Sequence, residues 1–360
     1  MTGQTMTETA SILGETVDRL LGQALAGNKT DKPWDPDLWT RLEEQGVIGA
    51  LAATIDEDQG DPDRLGADGA LNMLFLAGRH AAPLPIAEGM LAHWLAAKAN
   101  VELPGGPVAL AGAGWHDAIA IASDGTVTGR AHQVPFARHA STMLAMGEDT
   151  MALVPLDAVG IEERDSTAGE PRDSVTFDSA ATLAVPSPVG PTMLRSTMAA
   201  LRAVQIAGAL DRILDLTAGY VQERQQFGRP IAKFQAVQQA LAELGGQTAT
   251  TRAAVAMVGR TFGDEDGIGT FAAAKIRASE AVGHASQIAH QAHGAIGFTQ
   301  EYELQRLTRR LWSWREDYGN ESNWARWLGL ALTERASDNE QVELWTQLTD
   351  GLRLANRAFD

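Results

Sequence analysis

The chain has 360 residues, 44% hydrophobic and 21% charged, with a formal net charge of −17 and no cysteine. That length supports two or three structural units with a sizeable core. Disulfides and thiolate metal sites are excluded, a reducing compartment fits, and so acidic a surface repels nucleic-acid phosphates. It would repel an anionic cofactor too, so any phosphate site has to be built from local arginines and backbone N–H groups. The N-terminal stretch lacks a basic region followed by an apolar run, and no segment is apolar long enough for a bilayer. The expectation is a cytoplasmic protein without membrane insertion, nucleic-acid partner or metal.

Residues 1–104 read as helical. Ile12, Leu13, Val17, Leu20, Leu21 and Leu25 recur near a 3.6-residue period, the pattern of one buried stripe. Asp35-Pro36 is a helix start, a carboxylate cap followed by proline at the first helical position, with Leu38, Trp39 and Leu42 as the apolar face. Further helices are expected over about 67–80 and 86–99, separated by Pro83 and Pro85.

Between 105 and 190 the character changes to short apolar runs separated by turn residues. Asp124-Gly125 lies between two of them and signals a hairpin. A small antiparallel β domain follows. From 191 to 360 the helical period returns, with long segments over 193–222, 231–261 and 271–293 and shorter ones over 306–314 and 323–335. Helices of this length joined by short loops predict a four-helix bundle. Gly245-Gly246 suggests a bend or a close helix contact in the second. The fold class is α+β: N-terminal helical domain, small antiparallel β domain, C-terminal bundle.

On the residues alone, Arg224 is a cation at a helix end, Gly228 a terminator before Pro230, and Phe227 core. Yet Tyr220–Gln238 (YVQERQQFGRPIAKFQAVQ) and Gln291–Leu304 (QAHGAIGFTQEYEL) together resemble the paired motifs of acyl-CoA dehydrogenases, in order and separation. Weaker resemblance covers the rest of the chain. The likeness implies FAD as cofactor. Arg224 and Phe227 match residues at the FAD pyrophosphate, where a planar guanidinium can pair two oxygens. Gln291 matches a glutamine that reaches the adenosine side from a neighbouring subunit, and Gly294 and Gly297 allow close backbone approach. Ala295 departs from a common glycine. Arg224 and Gln291 are therefore expected to meet across a subunit interface. His293, beside that motif, reads as structural, and Trp312, Trp314, Trp324 and Trp327 as core or interface.

The family's reaction needs a carboxylate to take a proton from the carbon next to a thioester. Tyr318 stands where one group of members has that glutamate, and Met198 and Ala199 stand at the alternative position on the bundle's first helix. Glu316 and Asp317, with Glu321, flank the turn as candidates for a displaced base, against a reading as a solvated acidic turn. The family segment lining the flavin ring and thioester is shortened here to Leu110–Asp117, LAGAGWHD. These departures resemble the non-base-bearing subunit of bacterial α2β2 acyl-CoA dehydrogenases acting on sterol side chains, which carry fewer flavins than subunits. The implied function is oxidation of an acyl-CoA in lipid or steroid degradation, with a homologous partner supplying the base and an electron-transfer flavoprotein as acceptor. A self-sufficient homo-oligomer with a displaced base and a flavin-free structural subunit stand as alternatives.

Overall fold

The computed structural model describes residues 7–26, 34–57, 61 and 63–338. Helix α1 (Glu8–Leu25) starts at Thr7, whose hydroxyl accepts from the Ala10 N–H at 3.2 Å. Its buried line runs Ala10, Gly14, Val17, Leu21, Leu25, so Ile12, counted in the expected stripe, falls off it and is 56% exposed. Helix α2 (Pro36–Glu44) begins as its sequence dictates, with Asp35 accepting from the Leu38 N–H at 3.0 Å. After the short α3 (Ala50–Ala53) come α4 (Gly66–Arg79) and α5 (Ile86–Lys98). Ten of the 13 residues of α5 are buried, as expected of a helix apolar on nearly every side.

The middle segment forms two four-stranded sheets. One has the order β1 (Val108–Ala111), β4 (Thr142–Met146), β5 (Thr150–Pro155), β8 (Leu183–Pro186). The other has the order β2 (Ala118–Ile121), β3 (Thr126–Pro135), β7 (Arg172–Ala180), β6 (Val159–Glu162). Asp124 and Gly125 make the β2–β3 hairpin, Gly125 at φ +85° and Asp124 accepting from the Thr126 N–H. The pairing departs from all-antiparallel at β1–β4, which is parallel. The chain crosses to the second sheet as β2 and β3 before returning, and such a crossover permits a parallel neighbour. Ala109, Met143, Val127, Val175 and Phe177 fill a core of their own here.

Helices α6 (Pro191–Glu223), α7 (Gln235–Thr261) and α8 (Ile268–His293) run up, down and up, followed by α9 (Leu304–Glu316) and α10 (Glu321–Asp338). A two-residue hairpin, β9 (Gln225–Gln226) and β10 (Arg229–Pro230), leaves the end of α6. Helix α7 starts later than expected because Ile231–Lys233 forms a 3-10 turn. The N-terminal helices join the bundle where α4 crosses α6 through facing glycines. A Cβ on Gly208 would lie 1.9 Å from the Phe75 carbonyl oxygen, and one on Gly78 2.1 Å from that of Gln205. No such contact exists at Gly245 or Gly246, where a Cβ would meet nothing within 4 Å, and α7 runs on through both. Gly246→Ala is accordingly expected to stabilise the protein by about 0.5–1 kcal/mol, read as a higher urea midpoint; a lower one would mean that the open face is needed.

Candidate functional site

Two helices running the same way, with α7 between them in sequence, end at the same end of the bundle, so the C-termini of α6 and α8 converge. Arg224, Phe227, Gln291, Gly294 and Ala295 consequently line one groove of about 750 Å³ on a single chain. This corrects the expectation that Arg224 and Gln291 come together only from separate polypeptides. The Arg224 N–H donates to the Tyr220 carbonyl at 2.9 Å, ending α6. Among the described residues its guanidinium has no ion pair or hydrogen bond, nor has the Gln291 amide. Phe227 is not core: it is 89% exposed at φ +52°, its ring edge-on to Phe234 at 6.0 Å. Gly294, at φ +63°, closes α8 in a conformation that a side chain would strain.

His293 is buried behind this groove and is structural. The Ala289 carbonyl can only accept, so Nδ1 carries the proton toward it at 2.8 Å, and Nε2 accepts from the Tyr302 hydroxyl at 3.0 Å. Tyr220 stacks on the ring at 4.4 Å. Burial lowers the imidazole pKa, keeping it neutral.

The turn between α9 and α10 is not the solvated acidic surface that its sequence suggests. Asp317 is 7% exposed and accepts from Arg172 Nε at 3.1 Å and Nη2 at 2.9 Å, with Arg202 Nε a further ion-pair contact at 3.0 Å. Burial raises its pKa, but Arg172 and Arg202 outweigh that and hold the carboxyl below its usual range. Arg202 also pairs with Glu88 on α5, which is fully buried. Glu170 completes the cluster, accepting from Arg172 at 3.0 Å, Arg310 at 2.9 Å and the Trp314 indole at 3.1 Å. Three carboxylates and three guanidiniums thus join the N-terminal helices, the β segment and the bundle. Glu316 stays at the surface, accepting from the Asn320 amide at 3.0 Å.

Tyr318 is left-handed, φ +57°, and its hydroxyl donates to Glu88 Oε1 at 2.9 Å. Burial and the Glu88 charge push the phenol well above its ordinary pKa, so it stays protonated. Met198 and Ala199 are fully buried and carry no titratable group. Across a seam from the turn lies the loop after β1. Asp117 shapes it, accepting from the Gly112 and Gly114 N–H groups at 3.1 and 2.9 Å and from that of His132 at 2.8 Å.

The acyl-CoA dehydrogenase C-terminal domain model matches residues 194–316, which hold both groove-lining motifs. Acyl-CoA dehydrogenase IpdE2 of Mycolicibacterium smegmatis is 29% identical over 322 residues, 85% of this chain and 93% of that protein. Its Mycobacterium tuberculosis namesake is 28% identical over 84% of this chain and 91% of the relative. Over residues 194–316 the chain is similar to acyl-CoA dehydrogenases, and at under 30% identity the similarity extends over most of its length. Solved structures agree on the fold. The ChsE4–ChsE5 complex of Mycobacterium tuberculosis superposes at TM-score 0.77 with 20% identity, over 94% of this chain and all of that one. For butyryl-CoA dehydrogenase of Megasphaera elsdenii the values are 0.76 and 15%, over 92% and 100%.

Within this acyl-CoA dehydrogenase fold, sequence reasoning missed the buried charges. Arg202 sits in the otherwise apolar run MAALRAVQIAGAL, and a charge there has to find a partner inside, which was the available signal. Lys275 is similar, fully buried on α8 with its Nζ donating to the Trp314 and Arg315 carbonyls at 2.8 Å each. Burial lowers its pKa from 10.5 to about 7, with Asp317 opposing the shift. Between about pH 7 and 10.5 the unfolded chain therefore binds the proton that the folded one has released, so this group makes stability rise with pH across that window. Lys275→Met should remove a rise on the order of a few kcal/mol, seen as a flatter pH dependence of unfolding; equal slopes would show that the ammonium stays charged inside. Tyr318→Phe leaves Glu88 one hydrogen bond short and should cost about 1.5–3 kcal/mol of stability.

Proposed function

We propose that this chain is a subunit of an FAD-dependent acyl-CoA dehydrogenase that oxidises an acyl-CoA thioester between Cα and Cβ, gripping the dinucleotide half of FAD while a homologous partner supplies the catalytic carboxylate. The observation that carries the reading is Arg224, a guanidinium without a partner among the described residues, in a groove beside Gln291 and Gly294, on a chain of net charge −17. In an acidic protein such a cation attracts an anion, and its fork matches the oxygens of a pyrophosphate. Gln291 can donate to and accept from an adenosine, and the glycine lets a ligand approach the backbone. When bound, FAD supplies the two-electron acceptor for the hydride.

A partner is invoked because Asp317, the candidate base inside the fold, is committed to two arginines, and Glu316 lies at the surface, bonded to the Asn320 amide. Asp317 is held ionised by two arginines, a poor base for a weakly acidic C–H, and Tyr318 is a protonated phenol. Those same facts weigh against a self-sufficient enzyme with a displaced base. A flavin-free structural subunit would have no use for the unpaired Arg224. Co-expression with a homologous base-bearing chain tests the reading. A mixed oligomer that copurifies with flavin and oxidises acyl-CoA is expected, with Tyr318→Phe leaving turnover nearly intact. Full activity and one FAD per subunit from this chain alone would refute it.

A further inference from the structure

We infer that Tyr220, His293 and Tyr302 are positioning residues: they clamp the end of α6 to the end of α8 and so fix the span between Arg224 and Gln291. This rests on the function just proposed and adds to it the device that keeps the groove in shape.

The need for a clamp follows from how α6 is buried. From Ser196 to Leu210 every residue of that helix is enclosed, but beyond Leu210 only Ile213, Thr217 and Val221 are. A helix end so thinly packed frays readily, and its last carbonyls have no partners within the helix. Arg224 stands just past that end, and Gln291 lies in the last turn of α8. Held by their helices alone, the two side chains would meet a ligand at a variable distance.

Three rings close the gap. Tyr220 stacks on His293 with 4.4 Å between ring centres and 24° between planes, and its hydroxyl donates to the His293 carbonyl at 3.3 Å. Tyr302, on the loop before α9, donates to Nε2 of the same imidazole at 3.0 Å and meets Tyr220 edge-on at 6.3 Å. The next residue, Glu303, ties that loop back to α6 about two turns before Tyr220. It accepts there from Arg212 Nε at 3.1 Å and Nη2 at 2.8 Å. Burial keeps the imidazole neutral and raises the Tyr302 phenol, so the three rings carry no charge. A carboxylate in their place would pair with Arg224, and an ammonium would compete with it for an anion.

Tyr302 does not line the groove, whereas Tyr220 and His293 do, so it can act on a ligand there only through the imidazole. FAD is titrated into the flavin-stripped complex of this chain with its base-bearing homologue, and the dissociation constant is read from flavin fluorescence. Tyr302→Phe should weaken FAD binding about 2- to 10-fold, the effect of one lost hydrogen bond. Tyr220→Leu, which removes the stacked ring, should weaken it about 10-fold, and Tyr220→Phe, which keeps the ring, should restore most of the affinity. Each loss should all but vanish when Arg224 is already alanine, because the span no longer matters once one of its two grips is gone. Losses that persist undiminished beside Arg224→Ala, or wild-type affinity in both Tyr302→Phe and Tyr220→Leu, would overturn the clamp. Wild-type affinity in Arg224→Ala itself would instead overturn the proposed function, so the two failures are told apart.

Discussion

Arg172→Met is expected to destabilise the protein by about 3–5 kcal/mol, the usual cost of stripping one partner from a buried ion pair. Arg172 is the cation shared by Asp317 and Glu170, with hydrogen bonds of 2.9–3.1 Å to the two carboxylates. Its removal leaves three carboxylates facing two guanidiniums in a place where water cannot substitute. The loss would be a large share of the roughly 5–15 kcal/mol that holds a domain folded. The double variant Arg172→Met/Asp317→Leu should recover much of it, because removing both members of a pair restores balance and replaces polar by apolar packing. Urea unfolding of the purified assembly reads both. A single variant within 1 kcal/mol of wild type, or a double variant less stable than the single by a further full increment, would show that the pair is not energetically coupled.

That cluster also marks where the sequence stopped being informative. Helix starts such as Asp35-Pro36 and the Asp124-Gly125 hairpin were legible because their determinants lie within four residues of one another. So were the long bundle helices, whose apolar period repeats over many turns. Arg224 and Gln291 could be singled out by motif, but not their placement in one groove of one chain, because that depends on which helix ends converge. Asp317 was misread as solvated for a related reason. Its partners lie 145 and 115 positions away in sequence, on β7 and α6, and nothing local records them. Gly245-Gly246 misled in the opposite sense: a doublet that suggested contact opens on empty space, while Gly78 and Gly208, isolated within their helices, make the close crossing. Local chemistry announces turns and caps; long-range ion pairs emerge only once the chain has folded.

Arg224→Ala should weaken flavin binding by the assembled complex about 10- to 150-fold, the equivalent of losing a charge-assisted contact of about 1.5–3 kcal/mol. The argument starts from what the substitution does not disturb. Arg224 ends α6 through its backbone, with the N–H bonded to Tyr220 and the carbonyl accepting from Ile231, and an alanine retains both bonds. Its guanidinium holds nothing else among the described residues, so thermal stability of the flavin-free complex should stay near that of wild type. A separate loss of flavin would then be a binding effect rather than a folding one. Arg224→Lys should rescue only partly, since an ammonium keeps the charge but not the paired donors of the fork. Salt supplies a second readout: an exposed ionic contact is screened as ionic strength rises, so the gap between wild type and Arg224→Ala should narrow at high salt. A variant that keeps its full flavin content, with an unchanged salt dependence, would remove Arg224 from the site and with it the reason for assigning the dinucleotide's phosphates to this chain.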